Sequence, residues 1–437
     1  MAMEYAQTIK DLLIKAILLS VTQYGAFVEN MNYFSRERKL PIETIVKLLL
    51  SMEGGSLNKE LHKNGLDVTP SAFVQQRNKI SAQMFHAIMQ DFNNYCIDTS
   101  TYKGYRILAV DSTCVNMPRN PKAESFVSYE GNLKGYNQMH LNPLYDVLNK
   151  TYYDCVIQPQ PKADEQGAMI QMLYQNNFMD KNIIVADRGY ESYNLFAHLQ
   201  NHDDVDFLIR VKQDKSAMRE IAKLPMTELD IDVSFTITNT QTNEDKRENR
   251  IFLQKPKKPS KNPNAKTRQG RWDFPSPYPM KLRVVRFMLD TGEYETLATS
   301  LPRTFSIEDL KELYHMRWGI ETSFRMLKYC IGLINLHGKS DEFVNQEIYS
   351  ALTMYNFCNR IANAVVIEQK DSNKHEYKVN FTMALYLCKE FFRTDNANGE
   401  RLMKDIAQYT EPVRLGRQDE RYLKAKGFTG FTYRISA

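Results

Sequence analysis

Two stretches decide the fold: Arg106-Ile107-Leu108-Ala109-Val110-Asp111-Ser112-Thr113 and Asn182-Ile183-Ile184-Val185-Ala186-Asp187-Arg188-Gly189-Tyr190. Each is a short apolar run that ends abruptly in an aspartate. Such a run, too short for a helix and rich in branched side chains, reads as a buried strand. Between the two lie further strand-like runs at His140–Val147 and Tyr152–Ile157 and a helix-like stretch at Ala163–Gln175. Beyond them come another helix and a fifth strand, Val205–Val211. Three strands, helix, strand, helix, strand predicts an α/β core.

Further outward, Asp214 to about Ser300 interrupts this core. Val233, Phe235 and Ile237 alternate as in a strand, and Leu282–Leu289 and Tyr294–Thr299 flank the turn residues Asp290-Thr291-Gly292-Glu293,. Six of the sixteen prolines fall between Pro256 and Pro279, so that part reads as a loop,. From Glu244 to Arg286 there are thirteen Lys or Arg against four Asp or Glu, a local +9 in a chain of net +5. The remainder therefore sums to −4, and a basic block on a slightly acidic protein points to a polyanion partner.

Residues 1–100 read as helical, with Ile42, Ile45, Val46 and Leu49 on one face and Phe85, Ile88, Met89 and Phe92 on another,. Between them, Ser56–Leu61, a break at Asn64-Gly65 and a new start at Thr69-Pro70 give a helix, a short turn and a second helix with Gln76 and Arg77 on its surface. DNA-binding helix-turn-helix units and plain helical hairpins share that outline. Ser306 is the expected N-cap of a long helix, and the chain is helical again from about Leu333 to Arg393, followed by a basic tail from Thr410,. The divisions that follow are 1–100, 101–212, 213–300, 301–365 and 366–437.

Of the 437 residues, 43 % are hydrophobic and 25 % charged, which excludes wholesale disorder,. No stretch reaches the roughly 20 apolar residues of a membrane span, so a soluble, cytoplasmic protein is expected. The six cysteines are scattered with no C-x-x-C pair, fitting reduced thiols and no zinc site,. His198 and His202 have a spacing that can grip a metal but lack the adjacent glutamate of a zinc peptidase,.

The chemistry gathers at acids. Asp111 and Asp187 both end apolar strands, and ligands in α/β sheets collect at the carboxyl ends of strands. A third acid comes from the helix after Ser306. There Tyr314, Arg317, Glu321 and Lys328 share one polar stripe beside the apolar positions Leu313, Ile320, Phe324 and Leu327,. An Arg317–Glu321 ion pair on an exposed face would explain the stripe alone. Three carboxylates with cations beside them also suit two Mg²⁺ ions and in-line phosphoryl displacement, with Mn²⁺ able to substitute.

The spacing Tyr314-x2-Arg317-x3-Glu321-x6-Lys328 resembles the Y-R-E-K signature of bacterial insertion-sequence DDE transposases. Val110-Asp111-Ser112-Thr113 and Ala186-Asp187-Arg188-Gly189-Tyr190 resemble their first two acidic motifs, and Leu297–Leu301 the strand before the last. The resemblance implies an RNase H-like mixed sheet, interrupted by a β-rich insertion and flanked by helical regions at both ends. It implies that Asp111 bridges two metal ions while Asp187 and Glu321 each hold one, and that Tyr314, Arg317 and Lys328 contact phosphates. It also implies double-stranded DNA partners, namely terminal inverted repeats and target DNA, and a homodimer in a synaptic complex. Trp272, in the basic insertion, is the candidate for stacking on a flipped base, with Trp318 as packing or an alternative; Arg188 and Arg77 are further candidate DNA contacts. The implied activity is cut-and-paste transposition in a bacterial cytoplasm, in association with the nucleoid. A nuclease that does not join ends, or an inactive DNA-binding regulator, are the rival readings. A phosphatase with an Asp nucleophile would need a second Asp where Thr113 stands.

Overall fold

The computed structural model describes residues 2–36, 38–128, 134–213, 218–253, 272–369, 374–413 and 431. Helices α1 (Ala2–Thr22), α2 (Ile42–Ser51), α3 (Leu57–Lys63), α4 (Pro70–Arg77) and α5 (Ala82–Tyr95) precede the first strand. Local signals start them: Ser56, Thr69 and Ser81 each accept a backbone N–H of the following turn, and Pro70 sits in the first turn of α4,.

The core follows as β1 (Arg106–Val110), β2 (Thr113–Met117), β3 (Phe126–Val127), β4 (Tyr136–Asp146), β5 (Thr151–Pro159), α6 (Glu165–Gln175), β6 (Asn182–Ala186), α7 (Tyr193–Gln200) and β7 (Val205–Arg210). In space the strands run β5-β4-β1-β6-β7. β4 is antiparallel to β5 and β1, whereas β1, β6 and β7 are mutually parallel. This is the RNase H-like mixed sheet. β2 continues the line of β1 along β4, and the break between them falls at Asp111-Ser112.

The insertion comprises α8 (Arg219–Ala222), β8 (Leu229–Thr238), α9 (Asn243–Arg247), β9 (Ile251–Phe252), β10 (Tyr278–Met288) and β11 (Tyr294–Thr299). It interrupts the core in sequence only. β11 pairs antiparallel with β7, and the same sheet runs on through β10, β8 and β9. The ladder groups of β7 that would otherwise form an open edge are thereby satisfied. The basic loop expected within the insertion lies largely outside the described residues, as does most of the tail beyond 413.

Side chains alternate across the sheet with period two. Leu108, Val110, Ile184, Ala186, Phe207 and Ile209 face α6 and α7. Ile107, Ile183, Val185 and Leu208 face the opposite way, onto α10 (Ile307–Met316). The chain then continues through α11 (Trp318–Arg325), α12 (Asp341–Asn363), β12 (Tyr377–Val379), α13 (Phe381–Arg393), α14 (Gly399–Gln408) and β13 (Thr410–Pro412). At the outer edge, β5 is closed by side chains rather than by another strand. Asn356 accepts the Tyr152 N–H at 2.7 Å and donates to the Tyr152 carbonyl at 2.8 Å, and the Tyr349 hydroxyl donates to the Cys155 carbonyl at 3.1 Å.

Two placements bear on the readings from sequence. The terminal helical regions, divided as 1–100 and 366–437, share one apolar cluster that runs from Ala6 to Ile406, built around α12. Buried Lys10 fastens α1 to α13 by donating to the Phe391 carbonyl at 2.9 Å. Arg77, taken as a DNA-facing residue, is instead 2 % exposed. Its Nε donates to Gln346 at 2.6 Å, one Nη to Glu347 at 2.8 Å and the other to the Phe343 carbonyl. A carboxylate buried on α12 needs a cation, and the face of α4 packed against α12 supplies it.

Candidate active site

The register of the central strands sets the first two acids side by side. Val110 pairs with Ala186 in the parallel β1–β6 ladder, so Asp111 and Asp187 leave neighbouring strands at the same level. Each is fixed by its own turn. Asp111 accepts the Ser112 N–H at 2.8 Å, and Asp187 accepts the Gly189 N–H at 2.8 Å. A Cβ at Gly189 would stand 2.9 Å from the Asp187 carboxylate oxygen, so a side chain there would make that carboxylate turn.

The third acid arrives on the helix that covers this end of the sheet. Ser306 and Asp309 form a capping box that starts α10,. At Arg317 the helix tightens, with Arg317 N–H bonding the Tyr314 carbonyl and Ile320 N–H the Arg317 carbonyl. This junction turns the Arg317 guanidinium inward, 3.3 Å from Asp111 and 3.2 Å from Glu321. Helix phase therefore brings Glu321 to the aspartates with a cation between. Burial pushes the Asp111 carboxyl up to about 6; Asp187 and Glu321 add to the rise, while the Ser112 N–H and Arg317 oppose it,.

The other stripe residues are spread more widely. Tyr314 is 7 % exposed; burial raises its hydroxyl pKa, while Arg317 and Arg210, at the end of β7, oppose the rise. Arg210 is held in turn by Glu295 of β11 at 3.3 Å. A π-turn over Met326–Ile331, which contains Lys328, ends at Gly332 in the left-handed region at φ 99°. Lys328 is half-buried; burial pulls its ammonium pKa down, and nearby Cys114 opposes the pull. Arg188 is exposed beside Asp187. Trp318 is 44 % exposed, with the Arg317 guanidinium carbon 5.2 Å from its ring centroid.

Trp272 is not brought to the carboxylates. Its ring packs against Phe274 and Tyr278, with centroids 5.5 and 5.2 Å away. The next residue, Asp273, is tied to Asn194 at 2.8 Å and to His198 at 3.0 Å, both on α7. Tyr174, near the far end of α6, bonds the other His198 nitrogen at 2.9 Å. The aromatic group thus lies along α7, held at Asn194 near its start and at His198 in its last turn. Both ring nitrogens of His198 are thus engaged by protein groups rather than shared with His202.

Sequence reasoning missed three residues around the acids. Glu165, at the start of α6, accepts the Ser112 hydroxyl at 2.6 Å, and His140 of β4 stands 3.3 Å from the same oxygen. Burial pulls the His140 imidazole pKa down, but Cys114 and Glu165 outweigh it and raise it to about 9. Arg210 is the third, and the strand-end rule that found Asp111 and Asp187 also finds it. Glu165 looked like an ordinary acid in a helical first turn, and nothing in the sequence joins His140 to it.

Three buried polar atoms here make no well-directed hydrogen bond: Arg317 Nε, His140 Nε2 and the Tyr190 hydroxyl. Glu165, Asp111 and Asp187 are the acids that most affect the Tyr190 hydroxyl. His140 Nε2 has the Glu165 carboxylate 3.3 Å away, so Arg317 Nε and the Tyr190 hydroxyl are the two that call for a partner, since buried polar atoms are nearly always paired,. The donor set, carboxylate oxygens from three elements, suits a hard divalent cation. Among the described residues no three acidic, His or Cys side chains are closed into a ready-made cage, and Arg317 stands between Asp111 and Glu321.

Among solved structures, the chain is similar to the cryo-EM structure of a piggyBac transposase synaptic complex with hairpin DNA. The identity is 10 %, covering 94 % of this chain and 84 % of that chain, with a TM-score of 0.44. No curated protein matches it. Among the described residues no helix is long and apolar enough to cross a membrane. A family match runs over residues 102–357, taking in the strands that carry Asp111 and Asp187 and the helix that carries Glu321. That is more than half of the 437 residues, and the chain belongs to the transposase DDE domain family.

Proposed function

We propose that the protein is a cut-and-paste DNA transposase. It would cleave one strand at each terminal inverted repeat and join the freed 3′-hydroxyl to target DNA. The observation that supports this most is that β1 and β6 end side by side in Asp111 and Asp187, while Arg317 of the covering helix stands 3.3 Å from Asp111 and 3.2 Å from Glu321. Asp111, Asp187 and Glu321 are the residues that would hold Mg²⁺, with Mn²⁺ as a substitute. Bound there, two divalent cations would supply charge neutralisation at the scissile phosphate and a lowered pKa for the attacking water or hydroxyl.

The chain's own residues supply position. Arg317 and Lys328 grip phosphates, Arg317 through a planar fork that lysine cannot imitate. Exposed Arg188 extends that grip next to Asp187. Tyr314, buried in the cluster under the sheet and beside Arg210, steadies the helix that carries Arg317. Of the two tryptophans, Trp318 is the stacking candidate, since its exposed ring adjoins Arg317. Two copies would hold two ends in a synaptic complex, in the cytoplasm of a bacterium and on its nucleoid.

The test is strand transfer. A pre-cleaved duplex bearing the terminal repeat is incubated with the protein, Mg²⁺ and a supercoiled plasmid. The proposal expects repeat ends covalently joined to the plasmid through their 3′-hydroxyl. Cleavage of the repeat in a parallel assay with no joining would favour the nuclease reading. Binding with neither reaction, in Mg²⁺ or Mn²⁺, would favour the regulator.

A further inference from the structure

Arg317 is an unusual partner for the acids that surround it. Its side chain is 7 % exposed, whereas those of Asp111 and Glu321 are 26 % and 34 % exposed, so the guanidinium lies beneath carboxylates that solvent can reach. It spans both acids with one nitrogen each, at 3.3 and 3.2 Å, longer than a well-formed charge-assisted bond,. Its Nε is buried and has no hydrogen-bond partner. A guanidinium serving only the fold would use that donor, as Arg77 does with Gln346 at 2.6 Å.

We propose that Arg317 is an internal counter-cation of the carboxylate site, which a divalent cation must displace. The inference rests on the function proposed above and adds a control to it. While Arg317 neutralises Asp111 and Glu321, the two acids are not available to a cation, and the guanidinium is not available to a phosphate. A cation that takes the acids frees the guanidinium, and a phosphate that takes the guanidinium frees the acids. The two ligands therefore favour each other's binding by the same factor. Without DNA the site resists metal, and that restrains cleavage away from a bound end.

The test is calorimetric titration of Mn²⁺ into the full-length protein without DNA, comparing wild type, Arg317→Gln, Arg317→Lys and Glu321→Gln. Removing a unit charge this close to both acids is expected to tighten Mn²⁺ binding by at least about tenfold in Arg317→Gln. Arg317→Lys, which can reach only one acid at a time, should fall between that variant and wild type. It also serves as the test if the glutamine variant does not fold. A purely supporting role for Arg317 would loosen the acids and weaken Mn²⁺ binding. Equal or weaker binding in both Arg317 variants, with Glu321→Gln weakened, would overturn the counter-cation and leave the carboxylate site standing. No loss of binding in Glu321→Gln would overturn the site itself, and this inference with it.

Discussion

Arg77 and Arg317 are two buried arginines beside glutamates, and they do opposite things. Arg77 joins α4 to α12 with all three donor groups engaged: Gln346, Glu347 and the Phe343 carbonyl. Glu347 is equally well served, since it also accepts the backbone N–H groups of His337 at 2.7 Å and Gly338 at 2.9 Å. Around Arg317 the bonds are longer, one donor is idle, and the acids face solvent. A satisfied buried network rigidifies and specifies a fold, whereas a buried donor without a partner calls for an explanation, which the proposed ligand site supplies here. The difference separates scaffold from site within one chain.

The largest effect that would sharpen this contrast lies at the site. Asp187→Asn should reduce cleavage of a terminal-repeat duplex by about ten-thousandfold, about 5 kcal/mol of barrier. Its thermal midpoint should stay close to wild type; a collapse in stability would make Asp187 part of the scaffold instead. Next is Arg77→Met, expected to destabilise the fold by about 3–5 kcal/mol in denaturant titration, because Glu347 is left buried and uncompensated. A neutral result would break the comparison from the scaffold side.

The two regions should also differ in pH dependence. Arg77 and His337 oppose the effect of burial on Glu347 and hold its carboxyl at about 2, below its unfolded value near 4.5. A depressed group stabilises above its unfolded pKa, so this contribution is lost as pH falls through that range. Asp111 has the reverse sign. Burial raises it from 3.8 to about 6, so its effect favours folding at low pH and turns unfavourable as pH rises through that window. In EDTA, Asp111→Asn should therefore stabilise the protein by about 1–2 kcal/mol at pH 7, and the gain should vanish below about pH 4. Equal effects at both pH values would contradict the assignment. The smallest expected change is Arg317→Gln, which should alter stability by less than about 1 kcal/mol because its acids can turn to water. A loss as large as that of Arg77→Met would erase the distinction between the two arginines.

Much of this was legible in the chain. Apolar runs closed by Asp111 and Asp187 gave the central strands their ends, and helical phase from Ser306 put Glu321 next to Arg317. Tertiary partners were not legible. Gln76 and Arg77 have the same polar character in sequence, yet only the packing of α4 on α12 decides that Arg77 turns inward. Trp272 follows a basic stretch that suggested DNA, but Phe274 and Tyr278 and the tie from Asp273 to α7 draw it into an aromatic cluster. Glu165 and His140 meet only because α6 begins beside β4, a juxtaposition with no local signature. The π-turn that ends at Gly332 contains Lys328, where the sequence stripe assumed a regular helix.

Asp111, Asp187 and Glu321 are the proposed site of strand cleavage. This assignment is tested most directly by incubating wild type and Glu321→Gln with an end-labelled terminal-repeat duplex in Mg²⁺, measuring binding and nicking on the same samples. The account predicts nicking at the repeat boundary by wild type, its loss in Glu321→Gln, and end binding by both. Nicking that persists in Glu321→Gln would contradict it.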